Sequence, residues 1–173
     1  MKNHYHIYTS KHLSIELKIR HFNCFQQSIF LYNSELWTIT DTQEKAIDAF
    51  HRQQLRYALG IHYPKKISNE KLYKLAKVTE WSKPIRERRI RMLGHVCRLS
   101  PETPARQSLE EVVKECKRKP GRPRTTWLSL ITKDLKQMGI TPDKDFKNII
   151  QIAQDREYWK SLNRLHDGGK PSG

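Results

Sequence analysis

PIRERRIRMLGHVCRL, residues 84–99, has the pattern of an amphipathic α-helix. Pro84 suits a first helical turn, where its missing N–H leaves no bond unmade. Ile90, Leu93, Val96 and Cys97 then recur at helical spacing and make an apolar face. Arg88, Arg91, His95 and Arg98 point the other way. Arg86 and Arg89 fall on the apolar arc at the N-terminal end, which predicts that the core has already ended there.

The same period extends in both directions from this helix. Upstream, Ile15, Ile19, Phe22, Phe25, Ile29 and Phe30 predict an apolar stripe on a helix over 14–31. LYNSELW (31–37) breaks it, with Asn33 able to turn left-handed and Ser34 able to cap. Asp41 or Thr42 is the expected cap of a second helix, on which Ile47, Phe50 and Ala58 share a face and which Gly60 ends. Tyr63-Pro64 marks a loop, and Ser68-Asn69-Glu70 opens a short helix with Leu72 and Leu75. Downstream, Ser100-Pro101 and Pro104 interrupt the chain, and Gln107–Val113 fits a short helix or a strand. Thr125 or Thr126 caps a helix lined by Trp127, Leu130, Ile131, Leu135 and Met138 and ended by Gly139. Thr141-Pro142 is expected to open the last one, which carries Phe146, Ile149, Ile150 and Ala153 and continues, bent, through Trp159, Leu162 and Leu165. The fold class predicted is all-α.

Composition narrows the function. Leu, Ile, Val and Phe make up 40 of 173 residues, enough for a thin core. The 33 Lys+Arg against 18 Asp+Glu leave a net charge of +15, which points to polyanionic partners. No apolar run reaches the roughly 18 residues of a spanning helix, so no membrane partner is expected. Cys24, Cys97 and Cys116 are odd in number and widely spaced, which suits a reducing compartment; an intracellular location is expected, the nucleus ahead of the cytoplasm. His4 and His6 lie in a terminal segment that reads as a polar, mobile tail, and no metal site is expected. Asp143 and Asp145 read as first-turn carboxylates that complement a helix dipole. With no phosphate loop, nucleophile elbow or metal-binding His pair, neither cofactor nor catalysis is expected.

KRKPGRPR (117–124) holds five cations and no carboxylate. Three readings compete. Gly-Arg-Pro is the core of an AT-hook, with Arg122 and Arg124 entering a narrow minor groove. Alternatively Lys117, Arg118, Lys119, Arg122 and Arg124 clamp the phosphates of any nucleic acid, whether DNA, RNA or an RNA–DNA hybrid. The third reading is a solvated loop on a structural or functionless chain. Four engaged phosphates give a log–log salt slope of about −3.6, roughly a 150-fold loss from 50 to 200 mM, so the loop alone binds weakly. Lys83, Arg86, Arg88, Arg89, Arg91 and Arg98 on the preceding helix supply a second basic element, and the two together favour the phosphate clamp.

LYNSELW (31–37), LRYALG (55–60), SNEKLYKL (68–75), RRIRMLGHVCRL (88–99), GRPRTTW (121–127) with Asp134-Leu135 behind it, and AQDREYW (153–159) occur in that order. Together they resemble the region downstream of the polymerase palm in endonuclease/reverse transcriptases of non-LTR (LINE-like) retrotransposons. The match covers about residues 12–165. It implies a thumb-like helical region and a basic C-terminal segment that hold template and product strands without performing chemistry. Gly94 and His95 match the family's Gly-His, where a small residue permits close helix packing. Trp127 and Trp159 match its two tryptophans, which the residue pattern makes core anchors. Asn33 stands where the family has glycine. The palm's paired aspartates, the fingers, the endonuclease and a C-terminal zinc knuckle have no counterpart, so the resemblance is to a fragment of the RNA-directed DNA polymerase. The organisation expected is a tail (1–11), a thumb-like region (12–79), a basic helix and connector (80–116), the basic loop (117–126), a C-terminal helical subdomain (127–165) and a disordered tail (166–173).

Overall fold

The computed structural model describes residues 5–114, 125–143 and 146–165. The basic loop 117–124 and the tail from 166 lie outside them. Among the described residues the regular elements are helical and none is a strand, so the fold is all-α. In order they are α1 (Tyr5–Thr9), α2 (Ile15–Phe22), α3 (Ser28–Phe30), α4 (Asp41–Ala58), α5 (Asn69–Ala76), α6 (Ser82–Arg98), α7 (Pro104–Lys114), α8 (Trp127–Gln137), α9 (Lys147–Gln154) and α10 (Arg156–Leu165). None is long and apolar enough to cross a membrane. The chain forms two compact units: Met1–Ser34 with Thr40–Pro84, and Glu35–Ile39 with Ile85–Gly173.

In the first unit, Ser14 caps α2 by accepting the Leu17 N–H. A π-helical turn, Asn23–Gln27, separates α2 from α3. The residue such a turn inserts rotates everything after it by about 100°. The continuous stripe predicted over 14–31 is therefore broken. Ile19 and Phe22 are buried, whereas Ile15, Phe25 and Ile29 are exposed, Ile29 to 74%. Phe30 is turned inward instead and stacks on Trp81 at 4.4 Å. Asn33 takes the left-handed turn, at φ +54°. Ser34 does not cap a helix; it is buried and opens a short 3₁₀ turn.

Thr40, one residue before the expected candidates, caps α4 in a reciprocal box with Gln43. The inward face of α4 is also displaced from the predicted one. Asp48, His51, Leu55 and Ala58 are buried while Phe50 is exposed. The two polar residues have specific partners. The Asp48 carboxylate accepts the Ser82 N–H at 2.9 Å, which supplies both an acceptor and a negative charge at the start of α6. His51 lies nearly parallel to Trp81 at 4.4 Å and to Phe22 at 5.9 Å. Ser68 caps α5, where Leu72 and Ala76 are buried and Leu75 is exposed. The N-terminal segment is more ordered than a tail: Tyr8 is buried, its hydroxyl 3.1 Å from His21 Nδ1. His4 lies outside the described residues.

In the second unit, α7 resolves the helix-or-strand ambiguity as a helix. Thr126 caps α8, and Gly139 at φ +78° ends it. The next helix does not start at Thr141-Pro142. α9 begins at Lys147, after Phe146 at φ +56°, and Asp143 caps it from outside by accepting the Asn148 N–H. Asp145 lies outside the described residues. α9 and α10 are separate helices, because Asp155 is extended and its carboxylate takes the Tyr158 N–H.

Burial pushes the His51 imidazole down to about 4, and the Arg52 cation adds to the shift. The folded protein therefore holds this ring neutral, while the unfolded chain takes up its proton near pH 6.5. Stability from His51 is complete above that pH and is lost as pH falls toward 4, by about 3 kcal/mol in all. His51→Phe, which keeps the stack, is expected to flatten this part of the pH dependence of urea unfolding. An unchanged pH dependence in the variant would contradict the assignment.

Candidate nucleic-acid interface

α6 carries most of the cations singled out in the sequence, and its packing in the second unit decides which of them face water. Ile90, Leu93, Val96 and Cys97 enter a core shared with Leu109, Ile131, Leu135, Phe146, Ile149, Ala153 and Trp159. Arg89 goes in with them. Its Nε is 2.8 Å from Asp134 Oδ2 of α8, and both side chains are more than nine-tenths buried. The two atoms form an ion pair in the core. Nη1 donates to the Trp37 carbonyl at 3.5 Å. The core thus continues past the point where the pattern predicted its end, and a buried carboxylate holds Arg89 there. Arg89 is withdrawn from the set of phosphate contacts.

Two tryptophans fix the neighbouring elements. The Trp127 indole N–H donates to the Glu35 carbonyl at 2.7 Å, which ties the segment 35–39 to α8. Trp159 of α10 lies directly on Gly94. A Cβ at residue 94 would overlap Trp159 Nε1 and sit 2.7 Å from Cδ1 and 2.8 Å from Cε2. The Trp159 N–H donates to the Ile90 carbonyl at 3.2 Å. That carbonyl lies one turn before Gly94, and the missing side chain leaves it within the indole's reach. At the end of α6 the Cys97 carbonyl accepts from Arg106 Nη1 at 2.6 Å and from Gln154 Nε2 at 3.2 Å. These bonds satisfy a helix C-terminus that is otherwise buried. Burial pushes the Cys97 thiol up to about 11, which makes it an unreactive core residue.

Between α6 and α10 the second unit has a hollow of about 460 Å³. α6 lines it with Glu87, Arg91 and Arg98, and α10 with Arg156, Glu157, Lys160 and Asn163 around Trp159. The four cations and two carboxylates leave a net charge of +2. Arg98 is held in place by a bond from Nη1 to the Ala153 carbonyl at 2.9 Å. Arg91 also lines a shallower hollow of about 360 Å³ with Glu35, Arg88, Met92 and His95, so one cationic surface runs along the polar side of α6.

The remaining candidates fall elsewhere. Arg86 is half-buried, with Nη1 3.4 Å from Gln137 Oε1 of α8. Lys83 is exposed and belongs to the first unit. Lys117, Arg118, Lys119, Arg122 and Arg124 lie outside the described residues. Arg156 and Lys160 are not among the cations that the sequence pattern singles out. With Asn163 they recur at i, i+4, i+7, a legible polar stripe, but only the Trp159–Gly94 contact turns that stripe toward α6. Among the described residues no group of His, Cys, Asp or Glu could hold a metal ion. No protein-family model, curated protein or solved structure matches the chain.

Arg89→Met would remove the guanidinium that faces the buried Asp134 carboxylate, at an expected cost of about 3–5 kcal/mol in urea unfolding. Adding Asp134→Leu should recover most of that loss. A neutral single variant, or a double variant no better than the single, would contradict the buried pair.

Proposed function

We propose that the protein binds nucleic acid through phosphates without catalysing a reaction, and that it derives from the region downstream of the palm in a non-LTR retrotransposon reverse transcriptase. The observation that carries the binding reading is the hollow in which Arg91, Arg98, Arg156 and Lys160 converge from two helices. Cations on facing walls of a concavity reinforce one another at a bound anion, and long-range attraction from a chain of net charge +15 brings polyanions to it. The phosphate contacts are nonspecific, so DNA, RNA and hybrids are all accepted. The loop 117–124, next in sequence after α7, adds further contacts.

The ancestry rests on the order of the motifs in the sequence; four of them also meet one another in the fold. Glu35 of LYNSELW accepts from Trp127 of GRPRTTW. Arg89 pairs with Asp134 behind that motif. Gly94 seats Trp159 of AQDREYW.

Arg91→Gln with Arg156→Gln tests the binding reading, because both side chains are exposed and neither supports the core. The double variant should melt like the parent. Its log–log salt slope should be shallower by about 1.4 on single strands and about 1.8 on duplex, whatever the base sequence. An unchanged slope on both would reject the groove as the binding surface.

A further inference from the structure

The shape of the hollow says more than its charge. Internal phosphates of a duplex lie on a convex, stiff surface and touch a protein along a face. A concavity that gathers cations from two helices instead suits a group that projects, such as the end of a strand. We propose that the hollow between α6 and α10 is a seat for the terminal phosphomonoester of a nucleic-acid strand, an inference that rests on the binding function above.

Three observations carry it. The first is the balance of charge: Arg91, Arg98, Arg156 and Lys160 against Glu87 and Glu157 leave +2. A phosphomonoester carries nearly −2 at neutral pH, whereas an internal diester carries −1. The second is scale. About 460 Å³ falls within the roughly 300–1,000 Å³ of small-molecule sites, enough for a terminal nucleotide with its phosphate. The third is preorganisation. Arg98 is already fixed by the Ala153 carbonyl, and Trp159 cannot move toward α6 because Gly94 is in contact with it. Among the described residues Lys160 pairs with Glu157, at 3.8 Å across an exposed pair, which an incoming dianion can outcompete. The α10 N-terminus is not counted as a donor, since Asp155 occupies it.

The full chain is titrated at constant ionic strength with a short single strand bearing a 5′-phosphate, a 3′-phosphate or hydroxyls only, followed by fluorescence anisotropy. Inorganic phosphate and a nucleoside monophosphate serve as competitors. A phosphorylated end should bind about tenfold tighter, the size of one added charge-assisted hydrogen bond. The advantage should grow as pH rises through about 6, where the second phosphate proton leaves. Arg156→Gln with Lys160→Gln should weaken the hydroxyl-ended strand through the shallower salt slope of two lost cations. Beyond that shared loss, it should bring the phosphorylated and hydroxyl-ended strands to equal affinity. Equal binding of all three strands would overturn the seat and leave phosphate-backbone binding standing. Failure of every strand to bind at low salt would overturn both. Inorganic phosphate competing as well as the phosphorylated strand would make the hollow a free-phosphate site and overturn the strand-end assignment.

Discussion

An indole lying on a glycine determines where α10 meets α6. Trp159 fills the space that any side chain at residue 94 would need, and its N–H reaches the helix carbonyl that such a side chain would shield. This contact has two consequences for the second unit. It closes the core beside Leu93 and Cys97, and it sets Arg156 and Lys160 across from Arg91 and Arg98. The cationic surface follows from apolar packing: the seating of Trp159 brings the polar side of α10 beside that of α6.

Buried polar groups brace the rest of the molecule. Arg89–Asp134 holds α6 to α8, Asp48 caps α6, and Arg106 caps its other end. Each group would be costly alone and is tolerable because its partner is fixed. A pair of this kind adds little net stability over apolar residues. It does penalise packings that separate its members, which is useful in a chain whose apolar content is low.

The helical period made most of the fold legible. The face Ile90, Leu93, Val96 and Cys97, the helix begun at Trp127 and the turns at Gly60 and Gly139 all follow from local chemistry. The misreadings arise where tertiary contacts override that chemistry. The π turn at Asn23–Gln27 rotated the first stripe, and no local residue pattern announces such an insertion. His51 and Asp48 were passed over on α4 because polar residues are not sought in a core. The burial of Arg89 is invisible locally because its carboxylate, Asp134, stands 45 positions away in sequence. In the candidate site, Arg91 and Arg98 were legible as the polar face of a helix. Arg156 and Lys160 were not, since nothing local to AQDREYW states which neighbour its helix will pack against.

The proposed function requires that a single surface, built by two helices of one unit, take phosphate. Backbone amide and indole N–H resonances, followed while a short oligonucleotide is added, test it most directly. The account predicts shifts that concentrate at residues 87–98 and 156–163, with the Trp159 indole N–H moving in step with them. Shifts spread over the exposed lysines of the first unit, such as Lys65, Lys66, Lys71 and Lys74, with the Trp159 indole unmoved, would contradict it.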